Sequence, residues 1–109
     1  MYDVIIIGSG LGGLVCANLL SKKGQKVLVM ERQHQPGGCM QSYRRGSMMY
    51  DTGLHYVGGL AEGQPLHDMF NELDLLSLPW HRLDAEGFDR IMIGDREYRF
   101  AEGFDNFAE

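Results

Sequence analysis

Residues 4–13 read V-I-I-I-G-S-G-L-G-G, and residues 27–32 read V-L-V-M-E-R. Val4 to Ile7 is a continuous β-branched run, the pattern of a strand buried on both faces of a parallel sheet. Gly8, Gly10 and Gly13 follow at once in G-x-G-x-x-G spacing. Leu14 to Lys23 then carries helix-forming residues, with apolar positions at Leu14, Val15, Ala17, Leu19 and Leu20. Gly24 stands where a helix ends, directly behind Lys22-Lys23. Lys26 to Met30 is a second strand of the buried type. Residues 3–31 therefore read as one β-α-β unit, right-handed by the usual crossover rule.

The glycines have separate tasks in such a unit. Gly8 permits a tight turn, Gly10 lets a pyrophosphate approach bare backbone, and Gly13 lets helix and strand pack closely. Gly12 belongs to the same cofactor-facing turn. Free amides and the helix dipole favour an anion at this end of the helix. Glycine spacing alone is weak evidence, but here it lies between a strand and a helix, the context that the motif requires. Glu31 ends the second strand at about the expected ~20 residues from the glycines. Its carboxylate can accept from both hydroxyls of an adenosine ribose and would repel a 2′-phosphate, which disfavours NADP.

Residues 36–42, P-G-G-C-M-Q-S, bring a second stretch of bare backbone. A simple NAD domain has no need of it, although an ordinary Pro-Gly turn looks the same in isolation. An extended flavin dinucleotide does need further close backbone approach. Gly37-Gly38 suits that approach, with Ser42 as a hydroxyl donor.

The remainder reads more coarsely. Residues from Tyr43 to Leu60 look irregular. Pro65 to Leu76 has helical spacing of Leu66, Met69, Phe70, Leu73 and Leu76. Trp80 to Leu83 reads as a short strand. Phe88–Ile93 and Glu97–Phe100 read as two antiparallel strands around a Gly94-Asp95-Arg96 turn. Phe104 to Glu109 reads as the start of a helix. The expected fold class is α/β: an incomplete Rossmann-like FAD/NAD(P)-binding β-α-β unit, followed by a helix and an antiparallel β-hairpin. Residues 1–60 would form the N-terminal part of the FAD-binding domain, and residues 61–109 the start of a substrate or cap region.

Composition narrows the function. The chain has 109 residues and a net charge of −5 with no basic patch, so nucleic acid is not an expected partner. The two cysteines, Cys16 and Cys39, and the four histidines, His34, His55, His67 and His81, show no metal-ligand spacing, and no metal is expected. No apolar run reaches membrane-spanning length and no signal peptide is evident. The default compartment is the cytoplasm.

Four motifs in order, G-S-G-L-G-G-L, V-L-V-M-E-R, P-G-G-C and D-T-G-L-H-Y-V-G, resemble the phytoene desaturase, carotenoid isomerase and retinol saturase group of FAD-dependent oxidoreductases. The last of them and Cys39 look most like the retinol saturase branch. The match runs from Tyr2 to about Gly59 and is weaker beyond, where E-G-F-D is similar to the same branch. The resemblance implies that Gly8, Gly10 and Gly13 face the FAD pyrophosphate and Glu31 the adenosine ribose. Arg32 would lie along the adenine side. Gly37, Gly38 and Ser42 would approach the pyrophosphate and ribityl region, and Asp51-Thr52-Gly53 the flavin end. Many relatives carry arginine after the double glycine, where this chain has Cys39; Arg44 or Arg45 would have to substitute.

The resemblance also implies a hydrophobic isoprenoid or polyene substrate, NAD(P) as electron donor in the full-length protein, and a peripheral membrane location there. Catalytic residues are not identifiable, with His55 the weak candidate, since such a histidine more often orders its loop. The alternatives are a non-redox interaction protein of the GDP-dissociation-inhibitor kind on the same fold and a plain NAD-binding dehydrogenase domain. The intact glycines and Glu31 argue against the first, the double glycine and D-T-G against the second. The chain is expected to be the N-terminal piece of a longer protein, inactive alone and prone to self-associate through exposed apolar surface.

Overall fold

The computed structural model describes residues 1–107. Strand β1 (Val4–Ile7) leads through the glycine turn into helix α1 (Leu11–Lys22), and β2 (Val27–Met30) returns beside β1. The two strands are parallel and in the register Val4 to Val27 through Ile7 to Met30. Flanking bonds extend the pairing: Asp3 N to Lys26 O at 2.8 Å and Gly8 N to Met30 O at 2.7 Å. This is the expected β-α-β unit. Helix α1 begins three residues earlier than its apolar pattern suggests, because the glycines themselves form its first turn.

The end of α1 is a Schellman motif. Gly24, at φ +83°, donates to Ser21 O at 2.9 Å, and Gln25 donates to Leu20 O at 3.1 Å. Helix α1 packs on β1 and β2. Successive strand residues face opposite sides, so Val4 and Ile6 are half-covered while Ile5 is 59% and Ile7 90% exposed. The expectation of strands buried on both faces is thus not met among the described residues: β1 is half-covered on one face, and Val27, Leu28 and Val29 of β2 are half-covered.

The stretch from Tyr43 onward, read as irregular, contains an antiparallel hairpin. Strand β3 (Ser42–Arg45) pairs with β4 (Met48–Asp51) around Gly46-Ser47, with Gly46 at φ +60°. Glycine at the first of the two turn positions suits such a hairpin. Tyr43 and Tyr50 stack across this hairpin with ring centroids 5.3 Å apart.

The expected helix from Pro65 to Leu76 is broken in two. Helix α2 spans His67–Glu72, and a 3₁₀ turn spans Leu75–Ser77. Asp74 lies between them at φ +60°, a left-handed conformation that interrupts the ladder. Ser77 Oγ donates to Asp74 O at 2.7 Å and fixes the second piece. Leu73, at this junction, is the buried apolar side chain among the described residues.

These elements form one compact unit, Met1–Ser77. A second begins at Leu78. Trp80–Leu83, expected as a short strand, has no strand conformation; Trp80 N instead closes a tight turn on Leu78 O at 2.8 Å, around Pro79. The expected hairpin is present as β5 (Asp89–Ile93) and β6 (Arg96–Phe100), antiparallel and separate from the parallel pair. Its turn is Gly94-Asp95, with Gly94 at φ +60°. Arg82 and Glu102 pair at 2.6 Å and Arg99 and Glu97 at 2.7 Å, both at exposed positions. Helix α3 covers Phe104–Phe107; the rest of the expected C-terminal helix, residues 108–109, lies outside the described residues. The fold class is the one expected: a Rossmann-like β-α-β unit, then helix and antiparallel hairpins. No helix of the described residues is long and apolar enough to cross a membrane.

Candidate dinucleotide site

The glycine-rich turn assigns a distinct physical role to each position. Gly8 takes φ +99°, which a side chain would resist. A Cβ on Gly13 would stand 2.2 Å from the carbonyl oxygen of Gly8, so only glycine lets α1 come this close to β1. Cβ atoms on Gly10 and Gly12 would meet nothing within 4 Å. At these two positions the backbone is bare and its outer face open. Gly10 is the N-cap of α1 and offers no side chain to cap it. The first bond of the helix runs from Leu14 N to Gly10 O at 3.0 Å, leaving the earlier amides without an intrahelical acceptor. Open backbone, spare amides and a positive dipole end are what an anionic pyrophosphate requires.

Glu31 lies immediately after β2, beside this turn. Its Oε2 accepts from Ser9 N at 2.8 Å and from Ser9 Oγ at 2.6 Å. Its Oε1 accepts from Gln33 N at 2.8 Å. The Gln33 amide, then the Ser9 hydroxyl, then the Ser9 amide hold the carboxyl at about 2, well below its ordinary 4.5. Partial burial pulls the other way and loses. Glu31 is therefore an anion across the physiological range. Ser9 was not among the residues singled out in the sequence, yet it is 2% exposed and joins the two motifs. The signal was available: a hydroxyl between the first two glycines, facing an acid at the end of the next strand.

The second glycine pair packs on the first. Gly37 N donates to Ser9 O at 2.8 Å, and a Cβ on Gly38 would stand 3.0 Å from the Cα of Gly10. Gly37 and Gly38 take φ +114° and +59°. They open a 3₁₀ turn, Gly38–Met40. The bare backbone at 37–38 thus has a demand within the chain itself, closeness to Gly10, whatever ligand lies nearby. Downstream, Thr52 Oγ1 lies 3.0 Å from Cys39 O and also reaches Gln41 O. A Cβ on Gly53 would come within 2.5 Å of Cys39 O. The sequence-distant stretches G-S-G-L-G-G, Glu31, P-G-G-C and D-T-G are consequently one connected cluster.

Other expected site residues are less tightly bound into it. Arg32 and His55 are exposed. Ser42 opens β3, and its carbonyl accepts from Gln35 Nε2 at 3.1 Å. Arg44 and Arg45 are adjacent on β3 and so face opposite sides; the Arg45 guanidinium lies over the Tyr43 ring, 5.9 Å from its centroid. Cys39 and Cys16 are both exposed free thiols.

Known proteins are similar to this chain in sequence. The chain is 38% identical over 97 residues to an all-trans-retinol 13,14-reductase of Danio rerio, covering 89% of this chain and 16% of that protein. It is 47% identical over 60 residues to an inactive all-trans-retinol 13,14-reductase of the same fish, covering 55% of this chain and 10% of the relative. A chloroplastic prolycopene isomerase of Daucus carota is 46% identical over 61 residues, or 56% of this chain and 10% of the isomerase. The resemblance to the retinol saturase and carotenoid isomerase group is therefore borne out, and the chain spans about a sixth of the reductase's length. Residues 6–73 match the NAD(P)-binding Rossmann-like domain, a span that holds the glycine turn, Glu31 and the second glycine pair. The chain therefore belongs to the NAD(P)-binding Rossmann-like domain family.

Proposed function

We propose that this chain is the N-terminal FAD-binding portion of a flavin-dependent oxidoreductase acting on an isoprenoid or polyene. The observation that carries the reading is the joining of two bare-backbone stretches, Gly8–Gly13 and Gly37–Gly38, with Glu31 held ionised beside them. Gly10, Gly12 and the first amides of α1 would hold the pyrophosphate. Glu31 would take the adenosine ribose, with Arg32 near the adenine. Gly37, Gly38 and Ser42 would border the middle of the dinucleotide. The negative charge of Glu31 argues against a 2′-phosphate and hence against NADP here. When bound, the flavin supplies the hydride chemistry, and this region supplies binding and orientation.

The relatives' names support the substrate class, since retinol and prolycopene are both conjugated isoprenoids. Residues 1–60 would serve the cofactor and residues 61–109 would open the substrate-facing region. NAD(P) would act as electron donor elsewhere in a longer protein. One relative is named inactive despite its 47% identity over 60 residues, which fits a stretch that supplies binding and orientation. The test is a titration of the chain with FAD and with NADP, followed by amide NMR shifts. FAD is expected to move the amides of Gly8–Gly13 and Gln33, and Glu31→Ala to weaken FAD roughly ten- to a hundredfold, as for loss of a charged hydrogen-bond partner. Unchanged FAD affinity in Glu31→Ala, or tighter binding of NADP than of FAD, would defeat the reading.

A further inference from the structure

Ser9 is buried, so it cannot itself reach a ligand lying on the open side of the turn. It nevertheless makes two of the three bonds that hold the Glu31 carboxylate, at 2.8 Å and 2.6 Å to the same oxygen. Gln33 N occupies the other oxygen. A carboxylate has about four acceptor positions, so the chain fills three and leaves about one, on Oε1, for a single ribose hydroxyl. A carboxylate on a free glutamate arm could turn away from an unwelcome anion at small cost. One pinned at both oxygens cannot, and its repulsion persists when the anion arrives.

We propose that Ser9 is a positioning residue which, by pinning Glu31 against the glycine turn, sets the preference of this site for a ribose with a free 2′-hydroxyl over one bearing a 2′-phosphate. This inference rests on the assignment of Glu31 to the ribose. Of the bonds involved, only the hydroxyl bond can be removed by changing a side chain, because the other two come from backbone amides. Removing it leaves the arm held by two bonds and freer to swing. The loss appears as discrimination between two ligands, whereas a merely structural role would lower both affinities together.

The probes are ADP-ribose and 2′-phospho-ADP-ribose, titrated into the chain and into its Ser9→Ala, Ser9→Gly and Glu31→Ala variants, with amide NMR shifts giving Kd into the millimolar range. Two Ser9 variants are used because glycine removes the hydroxyl without leaving a methyl in a buried turn. Both are expected to reduce the ratio of the two affinities roughly fivefold, the effect of one lost hydrogen bond. A ratio unchanged in both Ser9 variants, while Glu31→Ala abolishes it, would overturn the role of Ser9 and leave the ribose assignment standing. A Glu31→Ala variant that binds both probes like the parent would remove the ribose assignment and the inference with it.

Discussion

Gly13 lies so close to Gly8 that a methyl group on the first would stand 2.2 Å from the carbonyl oxygen of the second. The contact is with backbone, which cannot swing aside. Gly12, one residue earlier on the same helix, faces open space. Gly13→Ala is expected to destabilise the fold by about 1–3 kcal/mol, as overpacking does. Gly12→Ala should instead stabilise it by about 0.5–1 kcal/mol through helix propensity while weakening nucleotide binding. Urea denaturation of both variants, with FAD titration of Gly12→Ala, checks this separation of fold from site.

Glu31 sets an acid limb. Its carboxyl sits at about 2 in the fold against an ordinary 4.5. A depressed pKa contributes stability above the unfolded value, and that contribution is lost as pH falls from about 4.5 towards about 2. Nucleotide affinity governed by this group should be flat from neutral pH down to about 3, a unit above its folded pKa of about 2. Glu31→Gln should lack this share of the acid-dependent stability loss. Denaturation curves between pH 2 and 7, with carboxyl NMR titration of Glu31, give the comparison.

Lys22 Nζ pairs with Asp74 Oδ2 at 2.7 Å and also reaches the carbonyl of Glu72, tying the end of α1 to the end of α2. Both side chains are partly exposed, so Lys22→Ala should cost no more than about 1 kcal/mol, less in high salt. Asp74→Ala should cost more, since it loses the pair and leaves a Cβ residue less tolerant of φ +60° than Asp, by about 1 kcal/mol further. Urea midpoints at low and high salt would separate the two effects.

Gly94, at φ +60°, closes the β5–β6 turn in open space. Gly94→Val should therefore strain the turn without any clash, at about 1–2 kcal/mol. The hydrogen-exchange protection of Ile91 and Tyr98, which face one another across the pair, should fall while that of β1 and β2 is unchanged.

Sequence and structure agree where a local pattern decides the outcome. Val4–Ile7, the glycine turn and Val27–Met30 form a parallel pair because a β-branched run followed by such glycines has few other uses. Gly24 and Gly94 punctuate as their residue type suggests. Agreement fails where two signals compete. The apolar spacing from Leu66 to Leu76 is helical throughout, but Asp74 takes a left-handed turn that periodicity does not register. Trp80–Leu83 has strand-like residues but pairs with no strand among the described residues. The β3–β4 hairpin was hidden because its strands are short and exposed, so they lack the alternation that marks a buried face. At the site, Glu31 and the glycines could be found by motif. Ser9 shows in the sequence only as a hydroxyl between two glycines, and its importance comes from a contact with Glu31, far away along the chain.

The near-contact of Gly10 and Gly38 makes two loops answerable to each other. A side chain at position 38 would press on the backbone of position 10, and the φ of +59° at Gly38 resists it as well. Substitutions in the two loops should therefore show epistasis: a shift of either loop alters what the other tolerates, so paired changes would deviate from the sum of single ones. Laboratory evolution that alters cofactor choice through the first loop would be expected to recruit compensating changes some thirty residues downstream, in a stretch that local sequence scanning would treat as a separate turn.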